Sequence, residues 1–136
     1  MSRSRDLPIY RAGYALLKLV TEAVGNFPRD HRATLGNRIQ SEAVGLVIQV
    51  YRANAAVDKR AHIAQLLENL EVVELMVQLL FDMRLISSEA FAKFCEILPN
   101  IGKQAGGWKK YADRQAACPL NHVGGLSASP VVELPR

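Results

Sequence analysis

The histidines, cysteines and clustered glutamates are the side chains of this sequence that could support catalysis or bind a metal ion. His31, His62 and His122 are scattered along the 136 residues, and none has a second ligand at the spacing of a metal site. Two cysteines, Cys95 and Cys118, are too few for a disulfide framework or a cysteine-rich zinc site. These residue types therefore predict no metal centre and no resident cofactor.

Three glutamates repeat at helical spacing, at Glu68, Glu71 and Glu74. Ferritin-like bundles bind two metals through such carboxylates, but they also need Glu-x-x-His motifs on facing helices, and this sequence has none. A solvated helix face is therefore the preferred interpretation. Cys95 is expected to be a small core residue, and Cys118 has no neighbouring base that would activate it. We predict that the chain is not an enzyme.

Four helices are predicted from the spacing of apolar residues, at about 8–25, 29–55, 58–85 and 88–114. The fourth has the clearest pattern, a seam with alternating steps of three and four. The predicted core positions are Ile9, Ala12, Leu16, Leu19 and Ala23 in the first helix, Leu35, Ile39, Ala43, Leu46 and Val50 in the second, and Phe91, Phe94, Leu98, Ile101, Ala105, Trp108 and Ala112 in the fourth.

Two features modify the fourth helix. Pro99 should kink it, because the proline ring conflicts with the carbonyl of Cys95. Three glycines weaken its second half: Gly102, Gly106 and Gly107. We expect packing through Trp108 to hold this half in place. Ser87 and Ser88 are candidate N-cap residues at its start.

Long helices with short connections favour an all-α, antiparallel up-down-up-down four-helix bundle over residues 8–114. A hydrophobic fraction of 49% with 22% charged residues is typical of a globular domain. We expect residues 1–7 to form a flexible arm and residues 115–136, rich in proline, glycine and serine, to form a disordered tail. The start, MSRSRDLP, lacks an apolar signal segment, so we expect a soluble, cytoplasmic protein.

The third helix is more apolar than a lone bundle requires. From Ile63 to Phe81, 13 of 19 residues are apolar, whereas one buried stripe needs a third to a half of the circumference. We predict an oligomer in which this helix contributes to a subunit interface. A locally apolar helix in a monomer is the alternative.

Basic residues concentrate at one end of the predicted bundle, where the N-terminus, the connection between the second and third helices and the end of the fourth helix meet. They are Arg3, Arg5, Arg11, Arg52, Lys59, Arg60, Lys103, Lys109, Lys110 and Arg114. Against three acidic residues they give this end a formal charge of +7, and the remainder carries −3, which together make the +4 of the sequence.

Such a patch is typical of a surface that binds nucleic acid or another polyanion. We predict that the eight basic residues from Arg11 onward contact nucleic acid. Base stacking is expected to be minor, and Tyr111 is the one candidate for it. The alternative is structural, because cations at a helix C-terminus are favoured by the helix dipole.

A second basic cluster, Arg29, His31, Arg32 and Arg38, begins the second helix. Cations are unfavourable at a helix N-terminus, but arginines beside free backbone N–H groups form an anion-binding or partner-binding site. The anion is either a phosphate or a carboxylate of the chain itself, such as Glu89 at the same end. Both interpretations are open.

Three segments occur in order at a characteristic spacing. They are Phe27-Pro28-Arg29 with His31-Arg32-Ala33-Thr34-Leu35-Gly36-Asn37-Arg38-Ile39, then Leu85-Ile86-Ser87-Ser88 with Phe91, then Gly106-Gly107-Trp108-Lys109-Lys110. The first resembles the F-P-K/R-x-x-R-x-T-L-G-x-R-I signature of the Avd-like four-helix-bundle family. The others resemble that family's turn between helices 3 and 4 and its closing G-G-W segment.

Avd-like proteins are the accessory variability determinants of diversity-generating retroelements. The resemblance implies a homopentamer with a basic surface that binds template RNA or cDNA and the reverse transcriptase of the element, supporting mutagenic cDNA synthesis. The related branch encoded in intervening sequences of ribosomal RNA genes carries an N-I-A-E-G-like segment that this chain lacks. The alternative functions are a protein–protein adaptor without a nucleic-acid role, and a small enzymatic or metal-binding bundle.

Overall fold

The computed structural model describes residues 6–117, and within this range the four predicted helices are present. The first, third and fourth helices are α1 (Pro8–Gly25), α3 (Arg60–Asp82) and α4 (Ser88–Ala117). Between α1 and α3, α2 consists of an α-helical turn at Arg29–His31, a π-helical turn at Arg32–Gly36 and an α-helix at Asn37–Ala55. Most of the predicted arm and tail lies outside the described residues.

Contacts between α1 and α2 show that the two helices are antiparallel. Near the end of α1, Thr21 Oγ1 accepts a hydrogen bond of 2.9 Å from Gln40 Nε2, which lies early in α2. Near the start of α1, Gly13 lies against Leu46, which is later in α2. The order of contacts therefore reverses between the two helices.

The same reversal holds between α2 and α3. Asn69 Nδ2 donates a hydrogen bond of 2.8 Å to Glu42 Oε1, whereas the ring nitrogen of His62, earlier in α3, lies 3.0 Å from Gln49 Oε1, later in α2. These pairs place the start of α3 beside the end of α2.

Helices α3 and α4 also run in opposite directions. The rings of Phe81 and Phe91 stack with centroids 4.1 Å apart near the connection between the helices. Farther along, Gly102 of α4 lies against Leu70, which is earlier in α3. The up-down-up-down bundle predicted from the sequence is therefore the observed fold.

The core follows the predicted apolar stripes with a small rotation of α1. Its first three predicted positions are buried, but Val20 and Val24 then take the places expected for Leu19 and Ala23, which are partly buried beside the core. Successive core positions in α1 are Ile9, Ala12, Leu16, Val20 and Val24. The buried stripe thus shifts by one residue in the second half of the helix.

The seam of α4 is confirmed, since six of its seven predicted members are buried and Phe91 is partly buried in the stack with Phe81. Ser87 is the cap, because its Oγ accepts a hydrogen bond of 3.0 Å from the backbone N–H of Ala90. The expectation that Cys95 belongs to the core is wrong, because this cysteine is exposed. One residue past Phe94, its side chain is rotated about 100° away from the seam.

The proline of α4 does not end the helix. Pro99 lies within the continuous helix Ser88–Ala117. The neighbouring positions Leu98 and Ile101 are both buried, so the core continues across it. Tertiary packing thus offsets the loss of one backbone hydrogen bond to the carbonyl of Cys95, and the predicted kink stays a prediction.

The π-helical turn in α2 was not predicted, and it coincides with a close approach to α1. Gly36 is buried, and a Cβ placed on it would lie 2.8 Å from Val24 Cγ1 and 3.6 Å from Phe27 Cδ2. Phe27 itself is fully enclosed. A glycine is therefore needed at this point because α1 and α2 approach each other more closely than a side chain permits.

Replacing Gly36 with alanine is expected to destabilise the protein, since the added methyl group meets the branched Cγ1 of a buried valine. We expect the free energy of unfolding to fall by about 1–3 kcal/mol, measured by urea denaturation. Gly25→Ala is the matched control, because a Cβ at Gly25 would meet nothing within 4 Å. Equal stabilities for the two variants would contradict this account of Gly36.

A single residue ends α3 in the left-handed region of the backbone. Arg84 has φ 62°, and the next residue, Leu85, donates its N–H to the carbonyl of Leu80 at 2.8 Å. This is the Schellman arrangement, in which glycine is usual because a Cβ is unfavourable at positive φ. The turn then leads into the buried Ile86.

Arg84→Gly is expected to stabilise the protein by about 1 kcal/mol, because glycine removes the strain of the left-handed conformation. Thermal unfolding would show this as a higher midpoint. Arg84→Ala removes the same charge but keeps the Cβ, so we expect no gain from it. A gain of equal size in both variants would assign the effect to charge and not to backbone strain.

Candidate nucleic-acid interface

The structure brings the predicted basic end together. The start of α1 and the end of α4 line one cavity, shared by Leu7, Trp108 and Arg114. The start of α3 lies near the end of α4. The pKa of Arg60 is raised mainly by its hydrogen bond to Asp58, and Asp113 of α4 is close enough to add a smaller electrostatic contribution. Arg3 and Arg5 lie outside the described residues.

Three of the eight predicted nucleic-acid contacts are engaged within the chain. The Nζ of Lys59 donates to the carbonyl oxygens of Ala53, at 2.9 Å, and Ala56, and so caps the last turn of α2. Arg60 and Lys109 form ion pairs with nearby aspartates: Arg60 Nη2 to Asp58 Oδ2 at 2.8 Å, and Lys109 Nζ to Asp113 Oδ2 at 2.9 Å. The guanidinium of Arg60 lowers the pKa of Asp58 to about 2 through a side-chain hydrogen bond.

The other five predicted contacts are exposed, and none forms an ion pair with another residue of the range 6–117. They are Arg11, Arg52, Lys103, Lys110 and Arg114. Three of them, Lys103, Lys110 and Arg114, repeat at steps of seven and four along α4, which places them on one face of the helix. We call these three the basic strip.

Two further cations extend this surface along the seam between α1 and α4. Lys18 and Lys93 line a groove of about 560 Å³ that also contains Arg11. Sequence analysis missed both lysines because it sorted charges by height along the bundle and not by the helix pair that they share. The signal was present, since Arg11 and Lys18 are seven residues apart on one helix face. Glu22 and Glu96 line the same groove and reduce its positive charge.

The cavity lined by Leu7, Trp108 and Arg114, which we call the Trp108 cavity, lies beside the basic strip. It has a volume of about 630 Å³ and lies between the start of α1, the end of α2 and the second half of α4. Lys103 and Arg114 of the basic strip line it, together with Trp108 and Tyr111. Asn100 lines both this cavity and the α1–α4 groove, so the two are neighbours.

The second basic cluster is only partly available to an anion. Arg32 Nη2 donates to the carbonyl of Phe27 at 3.1 Å, and Arg38 Nε lies 2.9 Å from Glu42 Oε2. The sequence had suggested Glu89 as a candidate carboxylate for this cluster, but the carboxylate that pairs with Arg38 is Glu42. Arg29 is exposed and has no ion pair within the described part of the chain.

An apolar patch lies on the outer surface of α3. Leu75, Leu79 and Met83 are four residues apart and are 70%, 41% and 42% exposed. We call these three the α3 patch. This excess of apolar surface is the feature that the composition of the third helix predicted, and contiguous exposed apolar surface is typical of an interaction site.

The residues first considered for catalysis do not converge. Within residues 6–117, no three His, Cys, Asp or Glu side chains are grouped so that they could hold a metal ion. Glu68, Glu71 and Glu74 all lie at exposed positions. The carboxyl group of Glu74 is partly desolvated, and this desolvation, with a smaller effect of the neighbouring Glu71, raises its pKa. In the same range, every helix is too short or too polar to cross a membrane. His122 and Cys118 lie outside the described residues.

The sequence was compared with known proteins and with models of protein families. No curated protein matched it. The model of the bAvd-like family matches residues 9–112, from the first turn of α1 to the last buried position of α4. The match confirms the resemblance drawn from the three segments and covers most of the bundle. The chain belongs to the bAvd-like family of accessory proteins of diversity-generating retroelements.

Proposed function

We propose that this chain is a non-enzymatic, oligomeric accessory protein that binds template RNA or cDNA and a reverse transcriptase, and so supports mutagenic retrohoming. Membership of the bAvd-like family supports the role in a retroelement. The observation that carries nucleic-acid binding is the basic strip, three exposed cations on one face of α4 without ion pairs in the described chain. The α3 patch supports assembly.

The chemistry of the basic strip is that of phosphate neutralisation. Lysine and arginine side chains bind phosphate oxygens and release condensed counterions, so the affinity falls as salt rises. Contacts of this kind position a strand without reading its sequence. Arg11 and Lys18 would continue the positive surface along the groove toward the other end of the bundle. Such a surface suits an accessory protein that must hold a long template.

The triple variant Lys103→Ala, Lys110→Ala and Arg114→Ala is expected to bind an RNA hairpin about tenfold more weakly than the wild type. Filter binding at several salt concentrations gives a second readout. Three lost phosphate contacts should reduce the slope of log affinity against log salt by about 2 to 3.

The matched control removes three exposed arginines from the other end of the bundle, as Arg29→Ala, Arg38→Ala and Arg84→Ala. The net charge changes equally, so a purely non-specific attraction would weaken equally in both triples. That result would contradict the basic strip as the binding surface. If the wild-type protein does not bind RNA, the alternative function, a protein–protein adaptor, is favoured instead.

Assembly is assigned to the α3 patch. Leu75 exposes 70% of its surface to solvent in the single chain, and burying such side chains between subunits is favourable by about 25 cal/mol per Å² of apolar area. A ring of copies would cover this surface on every subunit. The subunit number of five is the number implied by the family resemblance.

The double variant Leu75→Glu and Leu79→Glu is expected to dissociate the oligomer, because two carboxylates would be buried in an apolar interface. Light scattering should then give a mass near the 15.0 kDa of the single chain. Ala61→Glu with Ala64→Glu adds the same charge at exposed positions of α3 and should leave the mass unchanged. A wild-type mass of one chain at every concentration would refute the oligomer.

The reverse transcriptase is assigned to the end that carries Arg29. This arginine is exposed without an ion pair in the described range, and Arg32 and Arg38 each keep part of their guanidinium toward solvent. An acidic surface of the polymerase would complement this end, while the template occupies the basic strip.

A further inference from the structure

Two adjacent glycines in α4 are not explained by packing within the described chain. A Cβ placed on Gly106 or Gly107 would meet nothing within 4 Å. Apart from Gly25, the last residue of α1, the other described glycines in helices behave differently, because a Cβ placed on each would lie within 3.5 Å of a neighbouring side chain: Gly13, Gly36, Gly45 and Gly102. Those four permit close packing of helices, whereas Gly106 and Gly107 face open space.

Open glycines inside a helix are unfavourable in a free protein. Glycine loses more backbone entropy on folding than alanine and weakens a helix interior. Alanine would fit at Gly107 without any internal contact to disturb. A bare stretch of helix backbone does, however, allow a partner molecule to approach more closely than any side chain permits.

Trp108, the next residue along α4, is buried in an unusual environment. Its side chain is only 6% exposed, and the indole Nε1 finds no hydrogen-bond acceptor within the described part of the chain. A buried donor without an acceptor is unfavourable, and tryptophan N–H groups are usually paired when buried. Trp108 lines the Trp108 cavity beside Gly107, so a molecule bound in the cavity would lie beside this residue.

The chemistry of the cavity wall limits the class of molecule. Lys103 and Arg114 line it without ion pairs in the described range, and none of its described lining residues is acidic. Tyr111 and the amide side chain of Gln104 add an aromatic and a polar contact. The volume of about 630 Å³ accommodates a nucleobase with its sugar, and the cations suit the adjoining phosphates.

We propose that the Trp108 cavity binds one unstacked nucleotide of single-stranded nucleic acid. The base lies against the bare backbone at Gly107 and beside Trp108, and the flanking phosphates lie at Lys103 and Arg114. This inference rests on the proposed nucleic-acid binding and adds that the bound strand is single-stranded and locally unstacked. A base can enter only where it has left its stack, so single strands and loops are favoured over duplex.

The test uses Trp108 as its own reporter, because it is the only tryptophan of the sequence. The full-length protein is titrated with a short oligouridylate, whose bases are largely unstacked, and with an RNA duplex of equal length. We expect the single strand to change the tryptophan emission and to bind more tightly than the duplex. Oligoglutamate, an acidic peptide, should leave the emission unchanged.

Gly107→Ala separates binding from folding. The added methyl group should weaken oligouridylate binding about tenfold, the size expected for one lost base contact, while the midpoint of thermal unfolding rises by a few degrees because alanine favours the helix. Gly25→Ala is the matched control, since its Cβ also meets nothing within 4 Å and it lies at the end of α1, away from the cavity. This control should keep the affinity of the wild type.

Each outcome decides between the two proposals. Oligouridylate binding without a change in tryptophan emission, and with equal affinity in Gly107→Ala, would overturn the nucleotide site but leave the basic strip in place. An equal response to inorganic phosphate, or to oligoglutamate, would reduce the cavity to an anion site and also overturn it. No binding of any RNA would refute the proposed function and this inference together.

Discussion

The rotation of α4 about its own axis is the constraint on which the surfaces of this protein depend. Six side chains from Phe94 to Ala112 lock one stripe of the helix into the core, and burial of this size dominates any preference of the exposed residues. With that stripe fixed, the helix geometry determines which surface each of the remaining positions occupies. Lys103 and Lys110 must face solvent, and Cys95 must do so as well.

Close approach between backbones is the second organising element, and glycine has opposite meanings at the two ends of the bundle. At Gly36 a methyl group has no room beside Val24, so the glycine is part of the core and accompanies a π-helical turn. At Gly107 there is room for a Cβ, so the glycine weakens the helix and permits no closer packing within the described chain. The same residue type therefore marks packing in one place and an open surface in the other.

Helical spacing alone predicted the four helices, their order and most of the core, because the burial of an amphipathic stripe depends on the period of the sequence and little else. Charge placement was predicted along the bundle axis but not around it. Lys18 and Lys93 meet only because α1 and α4 are neighbours. The pairings of Arg60 and Lys109 depend on short-range geometry, which periodicity does not contain. The left-handed residue Arg84 has no sequence signal of the usual kind, since glycine is absent there.

Oligomerisation and strand binding reinforce each other in the proposed assembly. One cavity for one nucleotide, with a few exposed cations beside it, would bind a single strand only weakly. Repetition of the Trp108 cavity and the basic strip on every subunit turns each later contact into an intramolecular one, which raises the overall affinity without any new residue. Weak single sites also release quickly, so a template could slide past the subunits while it remains bound to the ring. In the proposed assembly, the apolar α3 patch would join the subunits and the basic strip of α4 would hold the unstacked strand.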